Sequence, residues 1–366
     1  QASLPTIKYL VKKGCRVIII SHLGRPEGPK DTQFSLEPVA SHLAYLLGSP
    51  VHFVPETFGD RVKQAVKKLP PRGVMVLENL RFHKQEEAND HDFAERIVKS
   101  TGAQYFVQDG FGVVHRAHAS TDAVTELLPS VAGLLLEKEY TTISDSINDP
   151  ERPLLAIMGG AKVSDKIQVI EKFVSICDQI VIGGAMANTF LAETGDSMGA
   201  SKVETDQFST VKSIKKSVTN KQADDDFMLL PTDVAVAKQI EPSAKRSSVA
   251  ADKLANDDIA LDIGDATITD FKQAVAQAKT IIWNGTLGYA EIPAFAKGSA
   301  AIASEIVKNK SATSIIGGGD TADFVRHWDS KGGASFSHVS TGGGASLDLM
   351  AGKKLPGIEA LLDARA

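Results

Sequence analysis

Short apolar runs alternate with amphipathic segments along almost the whole 366-residue chain, and this alternation constrains the fold more than any other feature. In the first third, the apolar runs are RVIIIS (16–21), VHFV (51–54), VMVLE (74–78) and YFVQD (105–109). Near-continuous apolar strands separated by helical segments are typical of a parallel sheet with helices on both faces. The sequence therefore predicts an α/β fold.

The length of the chain and one polar segment indicate two domains. A chain of 366 residues is long enough for two hydrophobic cores. Residues 135–153, LLEKEYTTISDSINDPERP, are polar and helix-like and end in prolines, as expected of an interdomain connector. Apolar runs resume beyond it, at 153–158, 179–184, 227–231, 280–285, 313–319 and 336–344. We predict two doubly wound, Rossmann-like domains joined by a helix.

Composition narrows the classes of protein that the chain can belong to. No apolar run reaches the roughly 20 residues that span a bilayer, and no signal-peptide pattern is present, so no membrane partner is expected. The two cysteines, Cys15 and Cys177, are expected to be inert core thiols, which fits a cytoplasmic protein. A net charge of -5 argues against a nucleic-acid binder. Any basic site must therefore be local.

Basic loops follow three predicted strands of the first half. SHLGRP places His22 and Arg25 beyond one strand, LENLRFH places Arg81 beyond another, and HRAHAS places Arg116 beyond a third. Ligands of open parallel sheets bind beyond the carboxyl ends of the strands, and the arginine fork suits phosphate and carboxylate. The pattern predicts a small-anion site. The alternative for each arginine alone is a surface ion pair.

Glycine turns follow the predicted strands of the second half. In MGGAKVSDKI, Lys162 and Lys166 are four residues apart, which predicts that both lie on one helix face near its start. Backbone amides, a helix N-terminus and two ammonium groups would form a phosphate cradle. The alternative is a pair of solvated surface lysines.

The turns IIGGGDTADF and VSTGGGASLDL indicate which phosphate ligand is bound. No P-loop pattern is present, and the G-x-G-x-x-[GA] match at 317–322 lacks an acid at the end of the next strand. Asp320 would repel a bare pyrophosphate, but magnesium is held by one or two carboxylates together with substrate phosphates. A magnesium nucleotide is therefore predicted, with a helix N-cap at Asp320 or Ser346 as the alternative.

A basic anion site in one domain and a nucleotide site in the other predict phosphoryl transfer across a ligand cleft between them. Catalysis would consist of positioning and charge neutralisation, without a covalent protein intermediate. A dinucleotide-dependent oxidoreductase is the alternative from another class.

The motifs SHLGRP, LENLRFH, HRAHAS, GGAKVSDKI, WNG, GGGDT and SHVSTGGGAS, in this order, resemble those of the phosphoglycerate kinase family. The resemblance implies a glycolytic, cytoplasmic, monomeric enzyme that transfers a phosphoryl group between 1,3-bisphosphoglycerate and MgADP, giving 3-phosphoglycerate and MgATP. It implies a 3-phosphoglycerate-binding domain at 1–134, an interdomain helix at 135–152, a nucleotide-binding domain at 153–346, and a segment at 347–366 that returns to the first domain.

The resemblance also implies the roles of individual residues. The substrate would be held by His22, Leu23, Gly24, Arg25, Arg81 and Arg116. The nucleotide (ATP or ADP) would be held by Gly160, Lys166, Gly184, Glu291, Gly318, Gly319, Asp320 and Thr321, with Asp320 directed towards Mg²⁺. The transferring phosphoryl group would be handled by Lys162, Lys166, Gly342 and Gly343.

Members of that family have an N-terminal Arg-Asp-Phe-Asn motif and, beyond it, a catalytic arginine. Neither is present in this sequence, which starts at Gln1 without a methionine. We therefore expect a trimmed chain or a fragment whose first domain lacks its opening strand. Asp265 and Thr286 stand where the family tends to have proline. A catalytically impaired chain that binds nucleotide or acts as a scaffold is the alternative to an active kinase.

Overall fold

The computed structural model describes residues 1–221 and 226–364. The chain divides into two compact units. Unit 1 comprises Gln1–Tyr140 together with the C-terminal residues from Lys354, and unit 2 comprises Thr141–Lys353. The boundary after Tyr140 lies within the helix Leu134–Asn148, inside the segment predicted to connect the domains.

The described residues form the following strands and helices. The strands are β1 (Val17–Ile19), β2 (Val51–Val54), β3 (Val74–Leu77), β4 (Phe106–Gln108), β5 (Ser130–Ala132), β6 (Leu154–Met158), β7 (Gln179–Ile182), β8 (Met228–Leu229), β9 (Asp233–Ala237), β10 (Ser247–Ala250), β11 (Ile259–Ile263), β12 (Thr280–Asn284), β13 (Thr313–Gly317) and β14 (His338–Val339). The helices are α1 (Leu4–Lys12), α2 (Glu37–Leu47), α3 (Asp60–Lys68), α4 (Lys84–Glu87), α5 (His91–Thr101), α6 (Leu134–Asn148), α7 (Ile167–Ile176), α8 (Gly184–Glu193), α9 (Phe208–Lys221), α10 (Asp265–Gln277), α11 (Lys297–Lys308), α12 (Gly319–Trp328), α13 (Gly344–Met350) and α14 (Pro356–Asp363).

Unit 1 contains two parallel sheets, of order β1-β3-β2 and β4-β5. All four residues of the central strand β3 are buried, which is why VMVL reads as a continuous apolar run. The carboxyl ends of β1, β3 and β4 lead into the three basic loops. At the C-terminal end of the chain, Gly357 N donates to Val114 O in the same unit at 2.8 Å; Arg365 and Ala366 lie outside the described residues.

Unit 2 contains a six-stranded sheet of order β14-β13-β12-β6-β7-β8, in which every pairing is parallel. Strands β6 and β12 are buried along their whole length, and the indole of Trp283 has no exposed surface. The ends of β6, β7, β12 and β13 lead into glycine turns. Together the two units confirm the predicted α/β fold with parallel sheets.

A second sheet in unit 2 was not predicted. Strands β10, β9 and β11 form an antiparallel sheet, with an irregularity between Ala260 and Asp262. The short apolar run of β9 has no periodicity that distinguishes it from a buried helix, and β10 begins with two exposed serines. The long-range pairing that makes these segments strands is therefore invisible in the local pattern.

The expectation for one cysteine was wrong. Cys177 is buried, as predicted, but Cys15 is exposed. Its backbone N–H bonds to Leu10 O directly after α1, in a turn where Gly14 has a φ of 92°.

Within the part of the chain that the structure describes, no helix is sufficiently long and apolar to traverse a bilayer.

Candidate active site

The loops after β1 and β3 in unit 1 are bonded to each other. Arg81 Nη1 donates to Gly24 O at 2.9 Å, and Leu80 N donates to Ser21 O at 3.0 Å. Gly24 has a φ of 63°, and a Cβ atom there would overlap with the ring of Phe34. The glycine therefore allows the loop to pack against Phe34 while its carbonyl faces Arg81.

The predicted substrate residues form one basic cluster. Burial lowers the pKa of His22 to about 4, with further lowering from the charges of Arg81, His118 and Arg116. Burial also lowers the pKa of Arg81; the nearby Glu87 opposes this shift, and the charges of Arg116 and Arg25 add to it. His22 is therefore neutral near pH 7, and the arginines supply the positive charge. A bound anion would relieve their mutual repulsion.

Two acids of α4 position this cluster, and the sequence analysis missed them. Glu87 Oε1 lies 3.2 Å from Arg81 Nε, and the side chain of Arg81 is only 11% exposed. The fully buried Glu86 accepts from Ser120 Oγ at 2.5 Å and from Ser120 N at 3.2 Å. Burial raises the pKa of Glu86. Glu86 thus holds the loop that carries Arg116. In the sequence, the only indication of this role is that two acidic residues follow LRFH closely.

In unit 2, the predicted helix-face pair of lysines was wrong. Helix α7 begins at Ile167, so Lys166 is the residue preceding the helix and Lys162 lies in the turn before it. Lys162 is exposed, whereas Lys166 points inwards and donates to Gly159 O at 2.7 Å and to Asn284 O at 3.0 Å. The spacing of four residues has no helical meaning here, because Lys166 N bonds to Val163 O in a turn.

Glycines let the strand ends around Lys166 approach closely. Gly285 has a φ of 98°, and a Cβ atom there would overlap with Gly159 O and Lys166 Nζ. Gly184 has a φ of 65°, and its added Cβ would lie 2.7 Å from Gly160 N. Gly160 N donates to Thr286 O at 2.8 Å. The turn after β12 is thus bonded to Gly160 and packs closely against Gly184, the two glycines predicted to contact the nucleotide.

Asn284 is a site residue that the sequence analysis did not identify. It is 1% exposed, and its side-chain Nδ2 is buried without a hydrogen-bond partner. Nδ2 faces Gly318, where an added Cβ would lie 3.2 Å away. Gly318 is the N-cap of α12 and has a φ of 85°. The WNG motif drew attention to this turn, but nothing in the sequence shows that the amide lacks a partner.

The two triple-glycine turns are linked through Ser346. Its hydroxyl is buried, donates to Gly343 O at 2.8 Å and accepts from Gly318 N at 3.4 Å. Gly342 N donates to Ser340 Oγ, and Gly343, with a φ of 46°, is the N-cap of α13. The N-cap alternatives for Asp320 and Ser346 were therefore wrong, since glycines occupy both positions.

The remaining predicted nucleotide residues differ in exposure. Thr321 is fully buried, and its Oγ1 accepts from Gly285 N at 2.6 Å, so its side chain links α12 to the turn after β12. Gly319, Asp320 and Glu291 are exposed. Asp320 lies two residues after Gly318, and its negative charge raises the pKa of Lys166. The structure brings together Lys166, Asn284, Gly318 and Asp320.

The buried ammonium of Lys166 predicts that ligand binding at this site depends on pH. Burial lowers the pKa of Lys166 to about 8, while the charges of Asp320 and Asp165 oppose the shift. At the predicted nucleotide site, a bound phosphate would favour the charged ammonium and raise this pKa, so the predicted affinity for MgADP is constant below about pH 8. Above it we expect a loss of about tenfold per pH unit. Calorimetry between pH 7 and 9.5 checks this, and a fall that persists in Lys166→Met would contradict it.

Comparison with known proteins decides the family. The family model described as "Phosphoglycerate kinase" matches residues 1–353. The chain belongs to the phosphoglycerate kinase family. It is 45% identical over 363 residues to the phosphoglycerate kinase of Dictyoglomus turgidum, covering 99% of this chain and 90% of that protein.

Solved structures of phosphoglycerate kinases have the same fold. The Coxiella burnetii enzyme superimposes with a TM-score of 0.86 at 36% identity, and the Pyrococcus horikoshii enzyme with a TM-score of 0.83 at 27% identity. Each comparison covers 99% of this chain and 90% of the solved chain. The resemblance noted from the ordered motifs is confirmed.

Proposed function

We propose that the chain is a phosphoglycerate kinase that transfers a phosphoryl group reversibly between 1,3-bisphosphoglycerate and MgADP, giving 3-phosphoglycerate and MgATP. The family match over residues 1–353 carries the proposal. Within the structure it is supported by the unpartnered Nδ2 of Asn284, buried beside Gly318 at the N-terminus of α12. A buried donor without an acceptor is costly, and a helix N-terminus favours negative charge. A nucleotide phosphate would accept a hydrogen bond from Nδ2 and place its negative charge at the N-terminus of α12.

In unit 2, we assign the nucleotide phosphates to Lys166, Asn284 and the amides of Gly318 to Thr321. Lys166 already holds its ammonium at the strand ends through Gly159 O and Asn284 O. Glu291 would meet the ribose, and Gly160 and Gly184 would line the adenine pocket. Lys162 would neutralise the charge of the transferring group, and the turn at Gly342 and Gly343 would steady it.

In unit 1, we assign the phosphoglycerate to the basic cluster. Arg25, Arg81 and Arg116 would neutralise its phosphate and carboxylate, while His22 and the backbone at Leu23 and Gly24 would contribute hydrogen bonds. Since His22 is neutral near pH 7, it would orient the substrate rather than add charge. The phosphoryl group of the acyl phosphate passes to ADP and leaves a carboxylate behind, so the charge on its oxygens must be neutralised during the transfer.

The residues present fit a magnesium ion that arrives with the nucleotide. Among the described residues, no group of three or more acidic, histidine or cysteine side chains forms a site for a metal on its own. The exposed carboxylate of Asp320, at the turn beside Gly318, suits an ion whose other ligands are phosphates and water. When bound, Mg²⁺ would neutralise phosphate charge.

We also propose that the protein is cytoplasmic and monomeric. The exposed thiol of Cys15 is compatible with a reducing compartment.

A pair of crossed variants tests the assignment of ligands. Arg116→Ala should weaken 3-phosphoglycerate binding about tenfold or more and leave MgADP binding unchanged, since one charge-assisted bond is lost. Asp320→Asn should weaken MgADP more than metal-free ADP and leave 3-phosphoglycerate binding unchanged. Calorimetry measures the affinities.

Equal losses for both ligands in either variant would contradict the assignment. A coupled assay with 3-phosphoglycerate and MgATP tests the reaction itself. Nucleotide binding with no turnover would favour a nucleotide-binding or scaffold role instead.

A further inference from the structure

We propose that Asn79 is a positioning residue for the phosphoglycerate site, holding the loop after β1 and the backbone of Arg81 in one arrangement. This inference rests on the proposed function of unit 1. Asn79 directly follows Glu78 at the end of β3, and its buried side-chain amide is already bonded to backbone groups, so it is not itself free to bind a ligand. Its effect on binding would pass through its neighbours.

Each polar atom of the Asn79 side chain has a backbone partner. Nδ2 donates to Leu23 O at 2.8 Å and to Phe34 O at 2.9 Å. Oδ1 accepts from Arg81 N at 3.0 Å, at the N-cap of the short 3₁₀ turn Leu80–Phe82. One amide therefore joins three segments, two of which carry predicted substrate residues.

The neighbouring carboxylate holds Asn79 and the third segment in place. Glu78 Oε1 accepts from Asn79 N at 2.8 Å and from Leu36 N at 2.9 Å, and Glu78 Oε2 accepts from Ser35 Oγ at 2.8 Å. Glu78 is 9% exposed. The segment that contains Phe34 is thus bonded to both residues, and its ring packs where Gly24 has no side chain. We infer that this hydrogen-bond network holds residues 22–25 in position.

Two substitutions separate the bonds of Asn79. Asn79→Ser retains an acceptor suited to the N-cap at Arg81 N but cannot reach Leu23 O and Phe34 O. Asn79→Asp also keeps the acceptor, and places a carboxylate oxygen against those two carbonyls. We expect Asn79→Ser to weaken 3-phosphoglycerate binding about 10-fold and Asn79→Asp about 10- to 100-fold, with MgADP affinity unchanged.

Asn89→Asp is the matched control. Asn89 lies in the same unit and donates from Nδ2 to Asp122 Oδ2 at 2.8 Å, while its Oδ1 accepts from Ala123 N. It makes no bond to the loop after β1 or to Arg81, but Asp122 and Ala123 follow the loop that carries Arg116. Asn89→Asp should therefore lower stability and weaken 3-phosphoglycerate binding clearly less than Asn79→Asp does. If Asn79→Ser binds 3-phosphoglycerate like the unaltered chain, or if Asn89→Asp loses as much affinity as Asn79→Asp, the proposal is wrong.

Hydrogen exchange separates failure of this proposal from failure of the proposed function. In the ligand-free chain, Asn79→Ser should speed amide exchange in residues 22–36 at least tenfold and leave β3 and unit 2 unchanged, whether or not the unaltered chain binds 3-phosphoglycerate. Unchanged exchange in 22–36 would overturn the positioning role. Faster exchange in a chain that never binds 3-phosphoglycerate would support the network and refute the proposed ligand.

Discussion

Replacing Lys166 with methionine is expected to weaken MgADP binding about 10- to 100-fold and to slow turnover by a further factor of about 10². Methionine fills a similar volume without the ammonium group that lies against Gly159 O and Asn284 O. The nucleotide phosphates would lose their most buried cation, and the transferring group would lose a donor held in place before reaction. Calorimetry and a coupled assay measure the two effects.

Lys172→Met is the control for this prediction, because Lys172 lies on α7 in the same unit, five residues beyond the first residue of the helix and beside Gly352. It should change neither MgADP affinity nor turnover. Affinity for 3-phosphoglycerate should be unaltered in both variants. If Lys166→Met binds MgADP as tightly as Lys172→Met, Lys166 does not contact the phosphates.

Gly285→Ala is expected to destabilise unit 2 by about 3 kcal/mol or more. The φ of 98° is unfavourable for alanine, and the added methyl group would overlap with Gly159 O and Lys166 Nζ. Relief of that overlap must move the ammonium or the turn after β12, so MgADP affinity should also fall. The two tryptophans, Trp283 and Trp328, both lie in unit 2, and urea unfolding followed by their fluorescence therefore reports on this unit.

Gly319→Ala is the stability control for Gly285→Ala. Gly319 lies in α12, its φ is not positive, and no atom lies within 4 Å of an added Cβ. Because alanine favours a helix by up to about 1 kcal/mol over glycine, its unfolding midpoint should stay level or rise. Equal destabilisation by the two substitutions would show that the close approach at Gly285 is not a source of strain.

The local sequence pattern predicted the parts of the fold that depend on continuous burial. VMVL and LLAIM are buried strands because both faces of their sheets are covered, and periodicity reports that directly. It could not predict the antiparallel strand β10, which begins with two exposed serines and is defined by its pairing with β9 rather than by an apolar run. The helical reading of Lys162 and Lys166 failed for a related reason: spacing says nothing about where a helix begins.

For the candidate site, the sequence identified the residues that can carry charge but not those that hold them. Arg81 and Lys166 stand out because a basic residue beyond a strand end needs an explanation. Asn79, Glu86 and Asn284 do not stand out, since their importance comes from burial and from bonds made or left unmade in the folded chain. The roles of Gly318 and Gly343 at helix N-caps follow from positive φ angles that a triple-glycine pattern permits without specifying which residue adopts them.

Hydrogen exchange with each substrate alone tests the division of ligands between the units most directly. Saturating 3-phosphoglycerate should protect the loops that carry His22, Arg81 and Arg116 and leave the glycine turns of unit 2 unchanged. Saturating MgADP should protect 159–166, 284–287 and 317–321 and leave the basic loops unchanged. Protection of the basic loops by MgADP alone, or of the glycine turns by 3-phosphoglycerate alone, would contradict the account.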